Sequence, residues 1–187
     1  MAGENAERFR KVAAAFTVRV EAIGGEAWSL PTPCVGWTAR DVVRHLIEWV
    51  PPFIHDGTEV ALVAQQPVDR DPVAAWLELS AQLQSILDAP GLSGSLFDHP
   101  YVGRHTLGDA VTLFILPDVL IHTWDLARAI GADEQLDPEL AAHVLEALLP
   151  MAPVIATVGV FGDGPSGTVG EDAPAHERLL DLSGRRP

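Results

Sequence analysis

Asp118, His122 and Asp125 are separated by four and three residues. At about 100° per residue that spacing puts all three in one narrow stripe of a helix. Their neighbours Val111, Phe114, Ile115, Val119, Ile121 and Leu126 are apolar, so the stripe is expected to face a protein interior. Burying two carboxylates and an imidazole side by side is costly unless something pairs with them. A divalent cation is one such partner, because carboxylate-x-x-x-His presents two ligands from successive turns of a bundle helix. A third ligand has to come from another helix. His45, between Val42 and Trp49 on the inward face of an earlier helical pattern, is the best candidate. The same residues admit a plainer reading, in which each histidine is a core imidazole hydrogen-bonded to a carbonyl. Asp125, three residues before Arg128, is read as supporting a neighbouring ligand or as structural, through a helix-face ion pair or a backbone cap, with direct ligation of the ion as its alternative.

The elements that position these residues read as helices. Phe9, Val12, Phe16, Val20 and Ile23 recur at helical spacing until Gly24-Gly25. Leu30-Pro31-Thr32-Pro33 is a stiff connector. Thr38 with Asp41 has the form of a capping box, and Trp37 with Val42 that of a hydrophobic staple, opening the helix that carries His45. Pro51-Pro52 is expected to end it, with a shorter helical segment between Phe53 and Ala64. Asp71-Pro72 opens a third helix through Trp76, Leu79, Leu83 and Ile86. Residues 90–105 read as a long loop, in which Asp98, His99 and His105 form either a lid or substrate wall or a solvated polar segment. From the cap Thr106 a long helix runs to Ile130, stopped by Gly131. Asp137-Pro138 begins a fifth helix, and a Gly-rich stretch, Gly159 to Gly170, precedes a short one near Ala175–Leu182. The expectation is an all-α fold: a four-helix bundle with extra short helices and an irregular C-terminal tail. Residues 1–187 are taken as one domain, with a core of about 5–150 and a tail of 151–187.

Composition narrows the function classes. Twelve Lys and Arg face 26 Asp and Glu, a formal charge of −14, which opposes binding to phosphate backbones and anionic membranes. A single cysteine, Cys34, excludes an intramolecular disulfide and a cysteine-based zinc finger. With no histidine close in sequence and prolines around it, Cys34 reads as a packing or loop residue. The first ten residues lack the pattern of a secretory leader, and no unbroken apolar run approaches a membrane span, so a cytoplasmic location is expected. Trp28, Trp49 and Trp124 are candidate surface aromatics for a homodimer.

Pro33-Cys34-x-Gly36-Trp37-Thr38, the following helix with His45, and the block His122-Thr123-Trp124-Asp125-Leu126-Ala127-Arg128-Ala129 resemble the metal-binding domain of mycothiol-dependent maleylpyruvate isomerase, within the DinB-like superfamily. The tail from Ala173-Pro174 to Gly184-Arg185 is similar to that of small single-domain actinobacterial members. The resemblance implies a four-helix bundle holding zinc or nickel through His45, Asp118 and His122. Asp118 stands where the isomerases carry glutamate, a shorter reach, and Pro117 is expected to kink the helix just before it. Three protein ligands leave a coordination position open, as in catalytic metal sites. The resemblance implies mycothiol as the thiol activated there, for attack on a small electrophilic substrate. The isomerases also carry a second, catalytic domain that this chain is too short to contain, so S-transfer or detoxification is expected rather than isomerisation. A metal-dependent hydrolase, with water in place of thiol, and a non-catalytic metal-binding or stress-associated interaction protein remain the alternatives.

Overall fold

The computed structural model describes residues 2–63, 65–153 and 164–187. The chain forms two compact units, Met1–Ala132 and Asp133–Pro187. The first is built on four long helices: α1 (Ala2–Ala22), α2 (Ala39–Gly57), α3 (Pro72–Asp88) and α6 (Leu116–Ile130). Helix α1 packs on α3 and α6, and α2 packs on the same two, which closes a bundle around one core. The fold is all-α and DinB-like, as expected; among the described residues there are only two short strands.

Side chains spaced to face inward do so. Phe9, Val12, Phe16 and Val20 of α1 are fully buried, as are Trp76 and Leu83 of α3. Phe16 lies 4.5 Å from Trp76 between ring centroids, and the Trp76 indole N–H donates to Thr17 Oγ1 at 2.8 Å. Burial on this scale contributes roughly 1.5–3 kcal/mol for each large side chain. The expected caps are formed. Thr38 and Asp41 make a reciprocal capping box, Asp71 accepts from the Ala74 N–H, Thr106 accepts from the Asp109 N–H, and Gly131 ends α6 with φ 66°.

Four expectations need correction. Pro51 and Pro52 lie inside α2, which continues to Gly57. The carbonyls they leave without donors, those of Ile47 and Glu48, sit on residues with solvent access, while Val50 and Ile54 bury completely on either side. Residues 90–105 are not an irregular loop. A turn of helix, α4 (Pro90–Ser93), leads into an antiparallel hairpin of β1 (Leu96–His99) and β2 (Gly103–Thr106), with Phe97 opposite His105. Its anchor is Phe97, fully buried against the end of α2. Trp28 and Trp124 are core residues, and only Trp49 of that set is half-buried. Finally, the helical segment Leu107–Ile130 is apolar enough by length and composition to cross a membrane, a property that a search for unbroken apolar runs misses. Most of its apolar window, 78%, is buried in the protein, as in a core helix.

That segment is not uniform. It begins with α5 (Leu107–Ala110), passes through a π-helical turn over Val111–Ile115, and becomes α6. The Leu116 N–H bonds back to the Val111 carbonyl. The irregularity expected at Pro117 takes this form: a proline has no N–H to give and its ring collides with the carbonyl four residues earlier, a conflict that a wider turn absorbs.

The second unit pairs α7 (Pro138–Leu148) with α8 (Ala175–Leu182). Its buried residues include Leu140, Val144, Leu148, Leu179 and Leu180. Residues 159–163 of the Gly-rich stretch lie outside the described residues.

Gly57 shows how closely the hairpin seats: a Cβ built there would overlap the Phe97 ring. Gly57→Ala is expected to lower stability by about 1–3 kcal/mol in denaturant titration. Gly24→Ala, at φ −120° with nothing near the added carbon, is expected to stay within about 0.5 kcal/mol of wild type.

Candidate metal centre

Three segments of the first unit converge on one cluster: the turn before α2, the middle of α2 and residues 118–125 of α6. The turn is set by backbone hydrogen bonds. Thr32 N–H donates to the Trp37 carbonyl at 2.9 Å and Trp37 N–H to the Cys34 carbonyl at 3.0 Å, with Gly36 at φ 80°, a value that side chains rarely adopt. This places Cys34 and Trp37 immediately before the capping box. The box then fixes where α2 begins, and so which turn carries His45.

His122 is the centre of the cluster. Its Nδ1 lies 2.8 Å from Asp125 Oδ2 and its Nε2 lies 3.3 Å from Asp118 Oδ1, so one imidazole is gripped between two carboxylates from its own helix. The other Asp118 oxygen, Oδ2, sits 3.0 Å from His45 Nε2 and accepts from the Trp49 indole N–H at 3.0 Å. Cys34 Sγ donates to Asp125 Oδ2 at 3.3 Å. Trp37 packs on both histidines, with centroids 5.0 Å from His45 and 5.9 Å from His122. Asp125 is completely buried and His122 nearly so. The Asp118 and His45 side chains retain 18% and 32% of their exposure, and that difference gives the cluster a dry back and a wet front.

The electrostatics follow from this geometry. Burial alone would push His122 down, but the Asp118 charge and hydrogen bonds with Asp118, Asp125 and Cys34 outweigh it and hold His122 well above its ordinary value. Burial would likewise raise Asp118. The His122 charge and the hydrogen bonds from His122 and His45 reverse that and hold it far below the ordinary carboxylate range. Without metal, the flanking carboxylates therefore favour the protonated form of His122.

Two donor sets could hold an ion. The ligand atoms of His45, Asp118 and His122 lie within 4.8 Å of one another, and so do those of Cys34, His122 and Asp125. The first set suits a reactive metal better. Two imidazole nitrogens and one carboxylate make a known three-ligand set with a coordination position to spare, and the part-exposed front gives access to it. In that arrangement His122 offers Nε2 while Asp125 holds Nδ1–H, the carboxylate–histidine pairing that fixes ring orientation and raises ligand basicity. The second set is more deeply buried, with Asp125 fully enclosed and its Oδ2 already taken by His122 Nδ1 and Cys34.

Residues 9–127, well over half of the chain, match the sequence profile of the mycothiol maleylpyruvate isomerase N-terminal domain. The chain belongs to this family. It is also 32% identical over 165 residues to two Mycobacterium tuberculosis proteins, "Uncharacterized protein MT0763" of strain CDC 1551 / Oshkosh and "Uncharacterized protein Rv0738" of strain ATCC 25618 / H37Rv. Each alignment covers 84% of this chain and 78% of the relative. No solved structure matches the chain. The profile match falls within the first unit and contains every residue of the cluster.

The structure brings His45, Asp118, His122 and Asp125 together. It also adds three that sequence reasoning missed. Trp49 lies one turn beyond His45, a spacing that could have flagged it. Trp37 was read as a staple and as part of the motif opening α2, not as a cover for the two histidines. Cys34 was set aside because no histidine is near in sequence, although it borders Asp125, 91 residues away. His99 and His105 lie on the hairpin, and His55 is exposed.

The raised His122 contributes stability to the metal-free protein that is complete below the ordinary histidine range and disappears as pH rises through its folded value. The lowered Asp118 contributes stability that is present above the ordinary carboxylate range and disappears as pH falls. In metal-free protein, NMR titration is expected to show His122 titrating above the usual histidine value, with Asp118→Asn moving it down. A wild-type midpoint at or below the usual value would contradict the pairing. Because an ion has to displace that proton, zinc affinity is expected to rise with pH across the neutral range, with proton release measurable by calorimetry in two buffers.

Proposed function

We propose that His45, Asp118 and His122 hold one divalent ion, zinc or nickel, and that the protein is a thiol-dependent S-transferase that uses mycothiol or a similar low-molecular-weight thiol on a small electrophile. The observation that carries this reading is the asymmetry of the cluster: His122 is locked from behind by Asp125, while Asp118 and His45 face a partly exposed front. A bound divalent ion supplies Lewis acidity, lowering the pKa of a thiol that reaches its open position. The chain's own residues then have distinct tasks. Asp125 accepts the Nδ1 proton of His122 and keeps Nε2 turned to the front. Trp49 donates to one Asp118 oxygen and so limits how that carboxylate rotates. Trp37 covers both imidazoles and keeps water from their faces. Cys34 is spent on its hydrogen bond to Asp125 and supports the cluster from the side rather than serving as a nucleophile.

Membership of a mycothiol family favours thiol over water as the second reactant. The −14 charge favours small-molecule partners over nucleic acid or anionic membrane, and a cytoplasmic location fits where such thiols are kept reduced. A homodimer is compatible with this reading but supplies none of the residues it uses.

The first test is metal content by mass spectrometry on untagged protein. About one equivalent is expected in wild type, and loss of it in both His45→Ala and His122→Ala. Asp125→Asn is expected to weaken zinc affinity about 10–100-fold, whereas Cys34→Ser keeps the metal. Metal-loaded wild type should then speed conjugation of mycothiol to a bimane electrophile, and His122→Ala should not. No metal after reconstitution with zinc and with nickel would defeat the proposal. Stoichiometric metal with no thiol turnover would return the function to a hydrolase or a non-catalytic metal-binding protein.

A further inference from the structure

Beyond the metal cluster, aromatic rings continue in a row through the same unit. His45 meets Trp49 with centroids 5.9 Å apart, Trp49 meets Phe53 at 5.4 Å, and Phe53 meets Phe114 at 5.6 Å and His99 at 5.0 Å. His105 closes the row edge-on against Phe114 at 5.4 Å. Three elements supply it. His45, Trp49 and Phe53 repeat every four residues along one stripe of α2, Phe114 comes from the π-helical turn, and the two histidines come from the hairpin.

A row that served only the core would be buried. Trp49, Phe53, His105 and Phe114 are instead half-buried and keep solvent access, while His99 is buried behind Phe53. It is also held in place. The Tyr101 N–H donates to His99 Nδ1 at 3.3 Å, and His105 Nε2 bonds to the Val102 carbonyl at 2.9 Å, so the hairpin's own backbone fixes both imidazoles. At its metal end the Trp49 indole N–H donates to Asp118. A contiguous aromatic surface that terminates in a few converging polar groups has the composition of a small-molecule site.

We propose that this row is the subsite for a small planar aromatic molecule. Its ring lies against Trp49, Phe53 and Phe114, and a metal-seeking group at its end reaches His45, Asp118 and His122. The ring class follows from the wall: offset and edge-to-face contacts between rings add to what apolar area alone provides. The head group rests on the metal reading; the ring does not.

The test separates the two. Zinc-loaded wild type is titrated with benzohydroxamate and with acetohydroxamate, which share a metal-binding head and differ by the ring. Benzohydroxamate is expected to bind about tenfold more tightly, and that advantage to fall below about threefold in Phe53→Leu and in Phe114→Leu, with acetohydroxamate affinity unchanged. Equal affinity of the two probes in wild type would overturn the subsite and leave the metal reading standing. In a second arm that needs no metal, benzyl alcohol is titrated into metal-free protein while the Trp49 indole N–H resonance is followed. Saturable movement that weakens in Phe53→Leu supports the subsite even if zinc does not bind. No movement, or rings already covered by a second copy of the chain at the concentrations used, overturns it.

Discussion

Everything in the first unit has to accommodate one buried imidazole held between two carboxylates. His122 and Asp125 lie in the interior of an apolar helix, where an unpaired charge is strongly destabilising, and Asp118 reaches His122 from one turn away. The pairing is tolerable because each group satisfies the next. Asp125 accepts from His122 and Cys34, and Asp118 is shared among His122, His45 and Trp49. Removing one member would leave another buried and unmatched. The bundle supplies the rigidity this requires: α1 and α3 are locked by Phe16 and Trp76, and α2 starts at a fixed residue because of its capping box.

The same constraint explains the path of the backbone around the site. Pro117 immediately precedes the carboxylate Asp118, and a π-helical turn comes before both. Helix α2 continues through two prolines, and the turn it thereby gains carries Phe53 and the Gly57 surface on which Phe97 rests. The hairpin consequently joins the wall that begins at His45. A local rule is broken in each place, and each break lies beside the polar cluster or the aromatic row rather than in the distant part of the bundle.

Much of this was legible in the sequence because it depends on short-range periodicity. The 4-and-3 spacing of Asp118, His122 and Asp125, the capping pairs Thr38/Asp41 and Thr106/Asp109, and the stop at Gly131 are all read within one or two helical turns. What was not legible depends on partners far along the chain. Nothing near Cys34 announces Asp125, and nothing in Pro51-Pro52 shows that Val50 and Ile54 are buried deeply enough to carry a helix across them. The hairpin was hidden because its strands are four residues long and its single strong anchor, Phe97, is held by a glycine on another element. Trp28 and Trp124 were misplaced for a similar reason: an aromatic residue on a helix says little about its face until the neighbouring helices are in place.

The family match spans the whole cluster, and the account turns on which of its side chains touch the ion. X-ray absorption at the zinc edge of zinc-loaded protein, in thiol-free buffer, answers this most directly. The account predicts the scattering of two imidazoles together with light oxygen donors and no sulfur. A sulfur shell at about 2.3 Å, which would put Cys34 on the metal, or a single imidazole without His45, would contradict it.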